Sequence, residues 1–310
     1  MLIADDRSGV SRLAILAAIL VCWGGGLAAM ARRQAADHTD ARRLAAAAAR
    51  VTPRDIYFNI QQNGQQVGFA QSHLDTADGG FYLTEYLMAD RWTPVTTARG
   101  PMMRMRRTML SSRVWLTHTF ALRRYIVASD TGSGETIVQI DPVGDTAVTI
   151  RSTPPASQGA PSLRTMRGTP LTLAPSLLPL AVALTGRTPR VGSQTAFDEL
   201  DPVDGPHRVT LAVAAESLFV VPDSSVYDST AATYKQFSAD TLRAWRLVPD
   251  GPLIGGGVPV VEWIDDEGRI VSAAATVPAV GPVTLVRTTY DLAHNNWSGK
   301  NIFFRKARSK

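Results

Sequence analysis

The chain has 310 residues, of which 45% are hydrophobic, 19% charged and 7% aromatic, a globular composition that is neither disordered nor collagen-like. Its one cysteine, Cys22, excludes a disulfide framework and a cysteine-ligated zinc cluster. Basic residues number 32 against 27 acidic ones, a net charge of +5, and no zinc-finger spacing, RNA-binding aromatic motif or basic recognition helix accompanies that charge, so nucleic acid is not the expected partner. Much of the excess lies beside an apolar segment and in the tail, where anionic lipid is the simpler partner.

The apolar segment runs from Leu13 to Ala31 and carries no charge between Arg12 and Arg32. At about 1.5 Å per residue it reaches roughly 28 Å, close to the roughly 30 Å of a bilayer's hydrocarbon core. Residues 1–33 therefore read as a retained, single-pass membrane anchor. Ala29-Met30-Ala31 fits a signal cleavage pattern, but Arg32 and Arg33 follow at once and no polar stretch precedes the site. Val21 and Trp23 flank Cys22, which reads as a membrane-facing or helix-packing residue rather than a lipidation site. Arg32, Arg33, Arg42, Arg43 and Arg50 follow the segment, against Arg7 and Arg12 before it, a bias that favours a cytoplasmic domain. Long downstream domains are often exported regardless of charge. The expectation is an inner-membrane protein with its domain in the periplasm, in conflict with the charge count.

Residues 34–54 are alanine-rich and predict a helical stalk or linker ending at Thr52-Pro53. From Asp55 the pattern alternates as strands do. Ile56, Phe58 and Ile60 point one way, Asn63-Gly64 supplies a hairpin turn, and Gln65–Leu74 returns. Gly79-Gly80 turns into the strand from Phe81. In the MMRMRRTM run, Met103, Met105 and Met109 share one strand face. Val114–Val127 predicts one long strand. Further strands are predicted at 136–140 and 146–150, with a Pro, Ala and Ser loop at 154–161.

Leu177–Leu184, after Ser176 and ending near Gly186, is the one good helix in the domain and is almost wholly apolar. Strands then resume at 194–200, 208–221, 241–248, 258–264, 269–275 and 283–290, with Glu267-Gly268 as a tight turn. Asp291–Trp297 predicts a terminal helical turn. The expected fold is mainly β: residues 55–297 form a large curved antiparallel sheet with one covering helix, the alternative being a two-sheet sandwich. Residues 298–310 form a basic tail.

Four stretches, VGFAQSHLDT at 67–76, DSSVYDST at 223–230, LRAWRLV at 242–248 and VEWIDDEGRIVSA at 261–273, resemble a group of bacterial membrane-anchored envelope proteins with a β-rich domain. That group is similar to the noncatalytic β domain that precedes transglutaminase-like domains. The resemblance spans most of residues 55–297 and implies a lipoprotein-carrier-like shape, a curved sheet wrapped on a helix. A transglutaminase core needs a cysteine, and none follows Cys22.

No catalytic, cofactor or metal site is expected. The histidines at 38, 73, 118, 207 and 294 lack helical zinc spacing, and no nucleophile elbow or phosphate loop is present. Asp223, Ser224, Ser225 and Asp228 read as turn-capping groups in an irregular excursion, and Asp265-Asp266-Glu267 as solvated turn carboxylates. Two surfaces remain. Met103, Met105 and Met109 with Leu177, Leu178 and Leu180 would line an apolar groove for a lipid. Phe303, Phe304, Arg305, Lys306 and Arg308 would meet a membrane or an acidic partner. The leading functional expectation is a nonenzymatic accessory subunit of a membrane complex. The alternatives are an apolar-ligand module and a divergent hydrolase.

Overall fold

The computed structural model describes residues 51–297 except 78, 98–99, 170–172, 175–176, 185–187, 202–204, 250–260 and 278–279, and gives the backbone alone at 77, 92–95, 97, 103, 184 and 261. The membrane segment with Leu13, Cys22, Trp23 and Ala31, and the tail with Phe303, Phe304, Arg305, Lys306 and Arg308, lie outside the described residues. Among the described residues no helix is long and apolar enough to cross a membrane.

Eight strands come first: β1 (Arg54–Gln62), β2 (Gln65–Ala77), β3 (Gly80–Thr97), β4 (Gly100–Thr117), β5 (Leu122–Asp130), β6 (Glu135–Val143), β7 (Ala147–Thr153) and β8 (Ser162–Arg167). A short helix, α1 (Leu178–Leu184), separates them from β9 (Gln194–Asp201), β10 (Gly205–Asp228), β11 (Thr233–Pro249), β12 (Val261–Ile264), β13 (Ile270–Val277) and β14 (Gly281–Thr288). Each set is an antiparallel meander. The two join where β1 pairs with β14, from Tyr57 opposite Thr288 to Gln61 opposite Thr284. The product is one sheet of 14 strands with β8 and β9 at its ends, so the sandwich alternative does not occur.

Alternation explains the strands. Asn63 and Gly64 both take positive φ, 52° and 77°, as a two-residue turn of this kind requires. One buried row then crosses six strands: Leu74 faces Leu83, Leu83 faces Val114, Val114 faces Tyr125, Tyr125 faces Ile140, and Ile140 faces Ile150. Val209, Leu211, Val213, Trp245, Leu247 and Ile264 of the second meander pack in the same cluster, which requires the sheet to curl until its two halves share a core. Leu177, Leu178, Leu180, Ala181 and Val182 fill that cluster from inside the curl. Seven residues make a marginal helix in water, so burial holds α1 in place, at about 1.5–3 kcal/mol for each fully buried aliphatic side chain.

Two expectations are corrected. Val114–Val127 is not one strand: β4 ends at Thr117 and β5 begins at Leu122. The turn has no Gly, Pro or Asn to announce it. The Thr117 hydroxyl accepts the Thr119 N–H at 3.2 Å and the Ala121 N–H at 3.0 Å. Phe120, at a φ of 61°, turns its ring into the core and stacks on Phe81 at 4.7 Å. The DSSVYDST stretch is likewise not an irregular excursion. It is the outer part of β10, bulged after Pro222 and after Ser224 but paired with β11 out to Asp228 opposite Thr233.

Beyond the pairing of Trp245 with Ile264, β10 and β11 continue as a two-stranded arm. The arm lies against the outer face of the sheet, where Val221, Ala244 and Val271 form a cluster with Phe219, Leu242 and Trp263 beside it. Its tip clasps the π-helical turn Asp291–Asn295. The Ser225 hydroxyl donates to Asp291 at 2.8 Å. Asn296 accepts from the Tyr234 N–H at 2.7 Å and donates to the Tyr234 carbonyl at 2.8 Å.

Candidate functional site

The turn between β12 and β13 sits directly beneath α1. Gly268 has a φ of 70°, and a Cβ there would stand 2.7 Å from the Pro179 carbonyl oxygen and 2.8 Å from Leu180 Cα. The sequence reading of Asp265-Asp266-Glu267 as solvated carboxylates fails for Asp265, which is only 1% exposed. Its Oδ1 accepts the Glu267 N–H at 3.1 Å and the Arg269 N–H at 2.9 Å. Its Oδ2 accepts Arg269 Nε at 2.6 Å and Arg287 Nη1 at 3.1 Å. Arg54 donates to the Glu267 carbonyl at 3.2 Å. Burial holds the pKa of both Arg54 and Arg287 below the usual guanidinium range. With four donors on its two oxygens, Asp265 is a staple that shapes the turn, not a free base.

Beside this staple, between α1 and strands β1 to β3, lies a cavity of about 30 Å³ lined by Arg54, Ser72, Leu74, Glu85, Leu177 and Leu180 among others. A water needs roughly 10–15 Å³ on this measure, so two waters fit. Small-molecule sites run to roughly 300–1,000 Å³. This cavity is thus too small for such a ligand, and α1 forms one of its walls.

The same interior carries acids. Glu85 accepts the Ser112 hydroxyl at 2.7 Å. Desolvation pushes the Glu262 carboxyl up to about 8, with Glu85 and Glu199 adding to the effect. Burial also raises Glu199, opposed by His207, whose Nε2 stands 3.5 Å away. Tyr125 is raised as well, mainly by burial. At about 8, Glu262 holds its proton at neutral pH. Among the described residues, no group of three or more His, Cys, Asp or Glu is placed to hold a metal ion.

The structure does not bring the expected apolar groove together. Leu177, Leu178 and Leu180 are buried inside the curl. Val114 and Leu116 of β4 face the same core, so by alternation Met105 and Met109 of that strand face outward. Met105 is exposed, and Met109 pairs with Met88, which packs on the outer cluster of Phe69 and Trp297. Met103 of β4 pairs with Pro94 of β3, and its side chain is not among those described. Sequence reasoning missed two features. Glu85 stands at an inward position between Leu83 and Leu87, so the alternation already marked it as interior. Leu218 and Val220, on the arm's outward face, are 68% and 70% exposed, and Phe237 is 76% exposed. Only the departure of the arm from the sheet turns those positions to solvent.

No protein-family model matches the sequence, and no curated protein matches it. Among solved structures, the chain is similar to a β-barrel-like protein of domain of unknown function DUF1849 from Brucella abortus, with a TM-score of 0.46 and 11% identity over 77% of this chain and 96% of that one. It is also similar to a DUF1089 family protein from Pseudomonas aeruginosa, with a TM-score of 0.32 and 12% identity over 68% of this chain and 90% of that one.

Proposed function

We propose that this chain is a nonenzymatic, membrane-anchored envelope protein that serves as an interaction subunit of a membrane complex, with the arm's outward face as the contact surface. The observation that carries this reading is the exposure of Leu218, Val220 and Phe237 on an arm pinned at its far end by Asn296. Apolar side chains held on a rigid element are what an interface core is built from. The cavity beside α1, at about 30 Å³, is too small for a ligand, which favours the outer surface for binding. The uncharged Leu13–Ala31 segment supplies the tether.

The test is purification of the tagged full-length protein in mild detergent. A stoichiometric membrane partner is expected with the wild type and not with the Leu218→Asp, Val220→Asp double variant. Both positions are exposed, so stability should stay within about 0.5 kcal/mol for each change. A monomer without an enriched partner, or a partner that survives both substitutions, would overturn the reading. Export of the domain is part of the proposal, and protease added to spheroplasts should digest it before lysis.

A second reading is an apolar-ligand module, and α1 supports it. This helix is too short to be stable alone, yet it covers the apolar row of the sheet. Native mass spectrometry of the purified protein should then show copurified lipid. A lipid-free protein that takes up no fluorescent fatty acid rejects this reading.

A further inference from the structure

The register of the arm turns a phenylalanine into water. Ser224 pairs with Ser238 and Ser225 with Gln236, so Phe237 is the extra residue of a bulge, and it is 76% exposed. A bulge gives up ladder pairing to re-aim a side chain. Leu218 and Val220 lie further along the same arm, opposite Arg243 and Thr241. The arm is also acidic. Between Glu216 and Arg243 it holds four acids, Glu216, Asp223, Asp228 and Asp240, against two bases, Lys235 and Arg243, a net charge of −2 on a chain of +5. Lys235 pairs with Asp228, and Arg243 with Glu216 at 3.3 Å. The surplus charge is therefore on Asp223 and Asp240, both exposed. Asp223 accepts the Ser238 hydroxyl, a neutral donor that leaves its charge uncompensated.

The occupant that fits such a surface is apolar and basic, and the chain carries one. Residues 298–310 contain Ile302, Phe303 and Phe304 together with five bases and no acid. They follow directly on Asn296, which is bonded to the Tyr234 backbone at the arm's tip. Phe303 is seven residues past Asn296, a reach of up to about 25 Å. Val220 stands opposite Thr241, seven residues along the arm from Tyr234, or about 24 Å at roughly 3.4 Å each. A short tether gives an effective concentration on the order of millimolar, so a weak contact suffices. A second copy would bring acidic arm against acidic arm, which opposes pairing through this face. We propose that residues 298–310 fold back on their own arm and cover Phe237, Val220 and Leu218, with the basic residues toward Asp223 and Asp240. The contact goes beyond the reading of the chain as an interaction subunit, and its consequence rests on that reading: a partner reaches the arm by displacing the tail.

The test uses the overproduced full-length protein in detergent, with p-benzoylphenylalanine in place of Phe303. It is mixed with a heavy-isotope copy, irradiated, digested and mapped by mass spectrometry. Crosslinks should fall between Glu216 and Arg243 and join peptides of one isotope only. The R305E, K306E, R308E triple variant should lower their yield at least about fivefold, and so should a rise from about 50 mM to about 500 mM salt, which screens the exposed charges. The Leu218→Asp, Val220→Asp double variant should lower it as much. Crosslinks on other strands, crosslinks joining the two isotopes, no protein crosslink, or a full yield in either folded variant would overturn the proposal. If the label misses the arm while an arm-dependent partner still copurifies, only this proposal falls. If it maps to the arm but no partner depends on Leu218 and Val220, the functional reading falls instead.

Discussion

Replacing Asp265 with alanine tests the staple under α1 most directly. The substitution deletes four accepted hydrogen bonds, two of them from guanidinium groups. Arg269 keeps Glu267 at 3.0 Å, whereas Arg287 loses its carboxylate while its side chain is only 20% exposed. Breaking a buried ion pair by removing one partner costs about 3–5 kcal/mol. Both arginines retain some contact with water, so the lower end applies, about 3 kcal/mol. For a domain of this size, each kcal/mol moves Tm by about 2–4 °C, which predicts a drop of roughly 6–12 °C. Calorimetry and urea unfolding of the full-length protein in detergent would measure it. The neighbouring Asp266→Ala is the control, because Asp266 is exposed and should change stability by less than about 0.5 kcal/mol. If Asp265→Ala stays within about 1 kcal/mol of wild type, or Asp266→Ala is equally damaging, the staple is not what holds this turn.

Two further substitutions probe the interior. Gly268→Ala places a methyl group 2.7 Å from the Pro179 carbonyl oxygen at a φ of 70°, so α1 must shift. A loss of about 2–3 kcal/mol in urea unfolding is expected, and a neutral result would mean that α1 does not bear on the turn. Glu262→Gln tests the raised carboxyl. A folded-state pKa of about 8 lies above the unfolded value, so its contribution is complete below about pH 4.5 and is lost as pH rises through 8. Wild-type urea midpoints should fall between pH 5 and pH 8. The variant should lose most of that slope and keep the smaller part due to Glu199, and an unchanged slope refutes the assignment.

Much of the secondary structure was legible because it is made by neighbours in the chain. Asn63-Gly64 and Glu267-Gly268 turn where their backbone conformations require it. The apolar run at 177–184 became a helix whose side chains are buried from Leu178 to Val182, since a helix without a polar face has no side to give to water. Failures came where a distant residue decided the outcome. The break after Thr117 depends on Phe120 accepting an unfavourable backbone conformation, offset by stacking on Phe81. Met105 and Met109 did share a face, as alternation demanded. Which face met the core followed from Val114 and Leu116 facing α1, and the curl that makes this so is set by the whole sheet. Asp265 read as one of three turn carboxylates until Arg287, far along the chain, proved to lie beneath it.

By itself, then, the sequence determined the mainly β character, the glycine turns and the identity of the covering helix, because these depend on periods of a few residues. Tertiary structure alone decided that the chain makes a single sheet, since that rests on Tyr57 meeting Thr288 across nearly the whole domain. It also decided which surfaces are left for a partner. A bulge between Val213 and Ala215 brings Leu218 and Val220 onto the face of Leu211 and Val213, but the arm has left the core by then, so they meet water.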